Sequence, residues 1–395
     1  MMKGLISVSA LLLSCLAAAP AFGQQPQCGG DFTTWLDGVR TEARADGVGE
    51  RGLAALSEAK IDPKVIARDH AQGVFAQNFI EFSSRMVNAY RLKIGKERMK
   101  SYSGTFAKAE QAYGVPAPVI TGFWALETDF GAVQGNFDTL DALATLSHDC
   151  RRPDTFRPQL IALLKLIDKG IVPVNVEGAW AGEIGQTQML PRDYLAHGTD
   201  GDGDGRVDLR SSAPDVIMTT ANFLKSLGWQ AGKPWMEEVE VPAQMPWDKT
   251  GMETRLPLSQ WAQWGVRNRG GAPLEPSNEQ ASLVLPMGRL GPAFLMFDNY
   301  RVYLKWNQSF VYTMTAAYLA TRFAGAPAYE KRDPSPGLSL AEMKDLQRKL
   351  ETKGHDVGKI DGVLGSGTRA AIRAEQQKLG LPVDGWPTEA LLAAL

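Results

Sequence analysis

The run at 119–131, VITGFWALETDFG, constrains this chain more than any other stretch. Ile120, Phe123, Trp124 and Leu126 recur at three- and four-residue steps, the period of a helix with one buried face. Gly131 follows where a C-terminal cap belongs. Glu127 lies four residues after Phe123 and three after Trp124, which places a carboxylate on the apolar face. Burying an unpaired charge is costly, so such a group finds a partner or holds its proton to higher pH. A carboxylic acid still protonated near neutrality can work as a general acid. Taken alone, the helix also admits a plainer reading, a glutamate at the edge of the face with its head in water.

The N-terminus predicts export. Met1, Met2 and Lys3 make a short charged start, residues 5–19 are an apolar run, and Ala19-Pro20-Ala21-Phe22-Gly23 offers small residues for cleavage. Residues 1–23 therefore read as a signal peptide, too short for an ordinary membrane span. Leu12-Leu13-Ser14-Cys15 is a poor lipidation motif, because more apolar chain follows Cys15. No later segment is long and apolar enough to span a bilayer, and the expected location is the periplasm. The mature chain keeps Cys28 and Cys150. In an oxidising compartment these two predict a disulfide, with two free buried thiols as the alternative.

With a net charge of −2, the chain lacks the basic footprint of a nucleic-acid binder. Its 4 histidines are scattered without zinc spacing. No G-x-S-x-G and no phosphate loop occur. The rest reads as a large body and a small tail. Residues 28–232 are mainly helical. They include a small-residue stretch from Gly178 to Pro191, whose glycines permit close approach of backbone to a ligand. From 233 to about 290, alternating VEVP, several prolines and SLVLP predict a β-containing insertion. Helical pattern returns at 291–325, and 326–337 is a linker by composition. The module at 338–395 carries an internal repeat, IDGVLGSGTRAAI and VDGWPTEALLAAL.

Asp200, Asp202 and Asp204 alternate ahead of Gly205, the opening of an EF-hand calcium loop. Ser211 stands where the bidentate acid belongs, so Asp208 or Asp215 is left to supply it. The expected ligand set for a structural calcium is Asp200, Asp202, Asp204, Arg206 and Asp215, with an acidic solvated turn as the alternative.

Several motifs together resemble a B-type lytic murein transglycosylase of bacteria. They are the run around Glu127, L-D-A-L-A-T-L-S at 140–147, Arg151-Arg152, G-A-W-A-G-E-I-G-Q-T-Q-M-L-P at 178–191, and the acidic loop. P-D-V at 214–216, A-N-F-L-K-S-L-G-W at 221–229, G-P-A-F-L at 291–295 and K-W-N-Q-S at 305–309 follow in the family's order. The tail, with L-Q-R-K-L, K-I-D-G-V-L-G-S-G-T-R-A-A-I and E-Q-Q-K-L-G-L-P-V-D-G, resembles a small peptidoglycan-binding module. The resemblance implies a mainly α (α+β) fold: a lysozyme-like helical catalytic core, a small β-containing insertion and a three-helix tail domain. It implies cleavage of the MurNAc–GlcNAc β-1,4 bond without water, giving a 1,6-anhydro product, with no cofactor needed for the chemistry. Glu127 matches the single acid/base. Gln188, Gln186, Trp306, Tyr312, Arg151, Arg152 and Asn307 match positions expected to bind substrate, with Trp306 and Tyr312 stacking on sugars. Peptidoglycan glycan strands are the implied partner, with other cell-wall enzymes as further candidates. Glu183 and Phe223 depart from the pattern, which usually has a small or apolar residue and a tyrosine there. A lysozyme-like hydrolase, with Glu183 or Asp129 as helper, and a catalytically silent wall-binding protein are the competing readings.

Overall fold

The helix Ala117–Thr128, here called the acid helix, carries buried residues on every side, from Val119 and Ile120 through Trp124 and Leu126 to Thr128. The periodicity predicts one buried face. A helix that is apolar all round is instead a central one, and the helices Ala89–Ser101, Ser103–Tyr113, Ala213–Ser226 and Phe310–Phe323 pack around it. Gly122 faces the last of these, and a Cβ there would be in ordinary contact with the Ala316 carbonyl oxygen, at 3.4 Å. These positions come from a computed structural model describing residues 28–71 and 77–395. The expected signal peptide, with Cys15, lies outside the described residues.

The acid helix ends earlier than its glycine suggests. Asp129 and Phe130 take left-handed backbone at φ 55° and 61°, ahead of Gly131 at 89°. Non-glycine residues rarely stand there. Arg91 Nε holds Asp129 at 3.0 Å, and the Phe130 ring lies edge-on to Trp124, centroids 5.6 Å apart.

Two stretches with one continuous helical pattern are broken in the fold. Residues 83–114 form the end of Phe79–Met86 and two further helices, because the Asn88 side chain accepts the Arg91 N–H and caps a new start. Residues 300–323 form Tyr300–Trp306 and Phe310–Phe323, broken at Asn307, whose side chain accepts the Ser309 N–H at 2.8 Å. The interior Pro158 does not end the helix Pro153–Asp168. Cys28 and Cys150 are joined, Cα atoms 5.2 Å apart, tying the first helix Phe32–Ala45 to the end of Thr139–His148.

A five-stranded antiparallel sheet stands beside the helices in the order Leu256–Pro257, Gln280–Val284, Ala293–Met296, Met236–Glu240, Arg267–Asn268. Its strand Ala293–Met296 lies past residue 290, pairing Met296 with Met236 and with Ser282. One face builds a small core around Trp261, Leu283 and Leu295. A two-stranded ribbon, Phe137–Asp138 with Glu177–Gly178, closes the loop after the acid helix.

In the tail, Leu340–Thr352, Ser366–Lys378 and Glu389–Ala394 enclose Leu346, Leu350, Ile372 and Leu391. Its sequence repeat has a structural meaning. Asp361 and Asp384 each accept the N–H two residues on, at 2.8 and 3.0 Å. The N–H of the glycine between is taken by a glutamine of the preceding helix, Gln347 for Gly362 and Gln376 for Gly385. The connecting stretch lies packed on the body. Tyr329 stacks on Phe79 at 5.2 Å and shares a hydrogen bond with Ser83 at 2.8 Å.

Candidate active site

Glu127 stands one residue before the end of the acid helix, and the break at Asn307 brings two donors onto it from separate helices. Trp306 Nε1 donates to Glu127 Oε1 at 2.8 Å, and the Tyr312 hydroxyl donates to the same oxygen at 2.5 Å. With both donors on Oε1, the proton of the neutral acid belongs on Oε2. Burial lifts the carboxyl from its ordinary 4.5 to about 7; the two hydrogen bonds oppose that rise and the charge of Glu183 adds to it. The plainer reading, a glutamate turned to water, is therefore corrected: the apolar wall around the group is what raises it.

That wall is aromatic. Trp306 lies 4.3 Å from Phe123 and 5.3 Å from Phe223 between ring centroids, and Phe123 stacks on Tyr303 at 4.9 Å. Trp306 and Tyr312, expected to stack on sugars, are half-buried and turn their polar edges to Glu127, and Trp306 also packs against other rings. Phe223, without a tyrosine's hydroxyl, packs on Trp306 as a purely apolar neighbour.

Other expected substrate contacts also have structural work. Gln186 is buried; its Oε1 accepts Trp124 Nε1 at 2.8 Å and its Nε2 donates to the Arg210 carbonyl at 3.0 Å. Its own carbonyl accepts the Thr128 hydroxyl at 2.5 Å, which fixes the end of the acid helix. Both side-chain groups are thus occupied, so Gln186 is a brace. Gln188, in left-handed backbone at φ 53°, donates Nε2 to Gly185 and leaves Oε1 uncommitted in the partly open loop. Arg151 and Arg152 both bind the buried carboxylate of Asp69. Burial pushes Asp69 up, but the two guanidinium groups more than offset it and hold the carboxyl below its usual value. Asp69 thus anchors the pair, whose side chains stay 39% and 36% exposed. Asn307, half-buried, holds the break between the two helices through its Oδ1.

Asp129 is bound to Arg91. Glu183 is the second carboxylate that acts on the acid. Burial raises its own pKa, backbone N–H groups of its turn lower it, and Arg152 acts on it from a distance. Reading the sequence missed Trp124, Thr128 and Arg91 as the parts that set the acid's position. Their partners are far away in the chain, and no local spacing signals them.

In the acidic loop, carboxylate oxygens of Asp200, Asp202 and Asp204 lie within 4.8 Å of one another, on exposed chain. Asp200 accepts the N–H groups of Gly203 and Gly205 at 2.6 and 2.8 Å. An all-oxygen cluster on a tight turn suits a hard cation such as calcium. Asp215 is corrected from the ligand set: it is 1% exposed, and its two oxygens accept Gly201 and Asp208 N–H at 2.7 Å each, bracing the loop from behind. Arg206 meets the cluster through its N–H, donated to Asp204 at 2.8 Å.

The family model described as "Transglycosylase SLT domain" matches residues 31–321, and one described as "Putative peptidoglycan binding domain" matches 339–395. Membrane-bound lytic murein transglycosylase B of Escherichia coli (strain K12) is 30% identical over 253 residues, 62% of this chain and 67% of that one. The structure of SltB3 from Pseudomonas aeruginosa in complex with NAG-anhNAM-pentapeptide is similar with a TM-score of 0.85 and 37% identity, covering 93% of this chain and 99% of that chain. An Escherichia coli lytic transglycosylase solved in complex with calcium has a TM-score of 0.63 and 28% identity, over 75% of this chain and 96% of that chain. Among the described residues no helix is long and apolar enough to cross a membrane.

Proposed function

The chain belongs to the transglycosylase SLT domain family, and from that premise we propose that it is a lytic transglycosylase acting on peptidoglycan. It cleaves the MurNAc–GlcNAc β-1,4 bond and leaves 1,6-anhydro-MurNAc ends. The observation that carries this reading is a single carboxylic acid near pKa 7 whose two hydrogen-bond donors share one oxygen.

The steps follow from that arrangement. Glu127 gives the proton on Oε2 to the glycosidic oxygen as the bond from that oxygen to C1 breaks, releasing the GlcNAc 4-hydroxyl. The carboxylate so formed is held by Tyr312 and Trp306. It then takes the proton of the MurNAc 6-hydroxyl as O6 bonds to C1. The acid ends protonated and no water is consumed. Ordinary glycosidases use a second carboxylate as base or nucleophile. Asp129 is occupied by Arg91, and the substrate's own N-acetyl group is the stabiliser of the positive centre. Phe123, Phe223 and Trp306 keep water from the acid.

The tail holds the enzyme on the wall, which accords with its match to a peptidoglycan-binding family. Asp200, Asp202 and Asp204 would hold a calcium ion that stiffens the loop behind the cleft; the ion takes no part in the chemistry. The protein works in the periplasm on glycan strands, alongside other cell-wall enzymes. Glu127→Gln tests the catalytic assignment: purified sacculi should no longer be lysed while the variant still binds them. Lysis at the normal rate would refute it.

A further inference from the structure

The tail module meets the catalytic body along its helix Ser366–Lys378. Arg369 and Arg373, four residues apart and so on one face of that helix, both turn into the junction. Arg369 lies over the rings of Phe310 at 5.4 Å and Trp386 at 5.9 Å, and its Nη2 donates to the Pro286 carbonyl at 3.0 Å. The Arg373 guanidinium is enclosed by glycines of both parts. A Cβ on Gly251 would stand 2.6 Å from its Nη2, and one on Gly385 3.1 Å from its Nε.

The two cations face one buried carboxylate, Asp384. The module's ion pairs, Arg348–Asp345, His355–Glu375 and Lys378–Glu375, involve neither. Asp384 acts on both from a distance, but its oxygens accept the N–H groups of Arg289 and Trp386 and Nε2 of Gln376, each at 3.0 Å. Glu253, which acts on Arg373, is exposed. The Nε of each arginine is shut away from water without a partner. Burial, together with the charge of Arg373, pushes Arg369 down to about 9. Desolvated like charges held side by side are costly, and an arriving anion relieves that cost. A planar fork of N–H donors matches a carboxylate in particular.

We propose that Arg369 and Arg373 form a second binding site, between the wall-binding module and the catalytic body, for the terminal carboxylate of a peptide stem. This rests on the reading of peptidoglycan as the substrate. Phe310 precedes Tyr312 by two residues, about 200° round their helix. The site therefore stands behind the catalytic acid, and it takes a stem from a part of the wall that is not being cut.

The test uses the full chain carrying Glu127→Gln, titrated calorimetrically with the sugar-free pentapeptide stem and with the same peptide amidated at its C-terminus. The acid form should bind at least tenfold more tightly than the amide. Arg369→Met and Arg373→Met should each abolish that preference while leaving the melting temperature unchanged or higher, since one of two desolvated like charges is removed. Equal affinity for acid and amide, or a preference that survives both substitutions, overturns the proposal. So does a lower melting temperature with the preference intact, which is the mark of a purely structural pair. Inorganic phosphate binding as tightly as the stem would also overturn it. With Glu127 restored, both arginine variants should cut stem-free glycan strands at the wild-type rate. Failure of the catalytic reading would appear there as no anhydro product from any form, with the peptide titration unaffected.

Discussion

Removing the Tyr312 hydroxyl should move the working pH of this enzyme upward. That hydroxyl donates to Glu127 Oε1 at 2.5 Å beside Trp306 Nε1 at 2.8 Å. Both bonds favour the carboxylate, and burial overcomes them to bring the group to about 7. A hydrogen bond to a charged group contributes about 1.5–3 kcal/mol, and 1.36 kcal/mol corresponds to about one pH unit. Tyr312→Phe should therefore raise Glu127 by about one to two pH units, to about 8–9. Cleavage begins from the protonated acid, so kcat/KM falls as pH rises through this value. The assay is release of soluble muropeptides from sacculi, measured from neutral to alkaline pH for both forms. The alkaline limb of the variant should lie at higher pH, with a lower maximal rate because the carboxylate intermediate loses a partner. A limb that stays in place, or moves to lower pH, refutes the account of how the acid is held.

The same pKa predicts stability. The folded protein holds the Glu127 proton more tightly than the unfolded chain does, so stability is lost as pH rises from about 4.5 to about 7. Glu127→Gln should accordingly be the more stable form at pH 8, by up to about 3 kcal/mol, with the difference vanishing near pH 4; urea unfolding at the two pH values measures it, and equal stability at both contradicts the burial cost. Cys28→Ser opens a link spanning 122 residues and should cost about 4–5 kcal/mol in the same assay, whereas an unchanged midpoint would show the link to be dispensable. For the acidic loop, calcium at about a hundred times its Kd should add about 2.7 kcal/mol. A chelator should then lower the melting temperature of the wild type but not of Asp202→Asn; indifference of the wild type removes calcium from the account.

Much of the site was legible because each of its parts sits in a short, distinctive motif. The apolar spacing around Glu127 marked a helix with a misplaced carboxylate, and burial is what raises that group. The motifs at 178–191 and 305–309 supply Glu183 and Trp306, which act on it. What stayed hidden depends on contacts distant in sequence. Gln186 looked like a substrate contact, yet Trp124 and Arg210 engage both its side-chain groups. Arg151 and Arg152 matched substrate-binding positions, and nothing near them signalled Asp69, about 80 residues earlier, which binds both. Asp215 sits at a ligand's distance in sequence from the acidic loop, but its oxygens point at backbone N–H groups. The one-face reading of the acid helix failed because Gly122 and Thr121 are as buried as the large residues, and a hydropathy pattern does not register small residues at a close helix contact.

The central claim is that one carboxyl group acts twice and that no water enters the product. Digesting sacculi in water enriched in oxygen-18 and weighing the released muropeptides tests it directly. The account predicts products one water lighter than the hydrolytic ones, with no heavy oxygen at C1. Reducing ends carrying the label would contradict it and would assign a water-activating role to Glu183 beside Glu127.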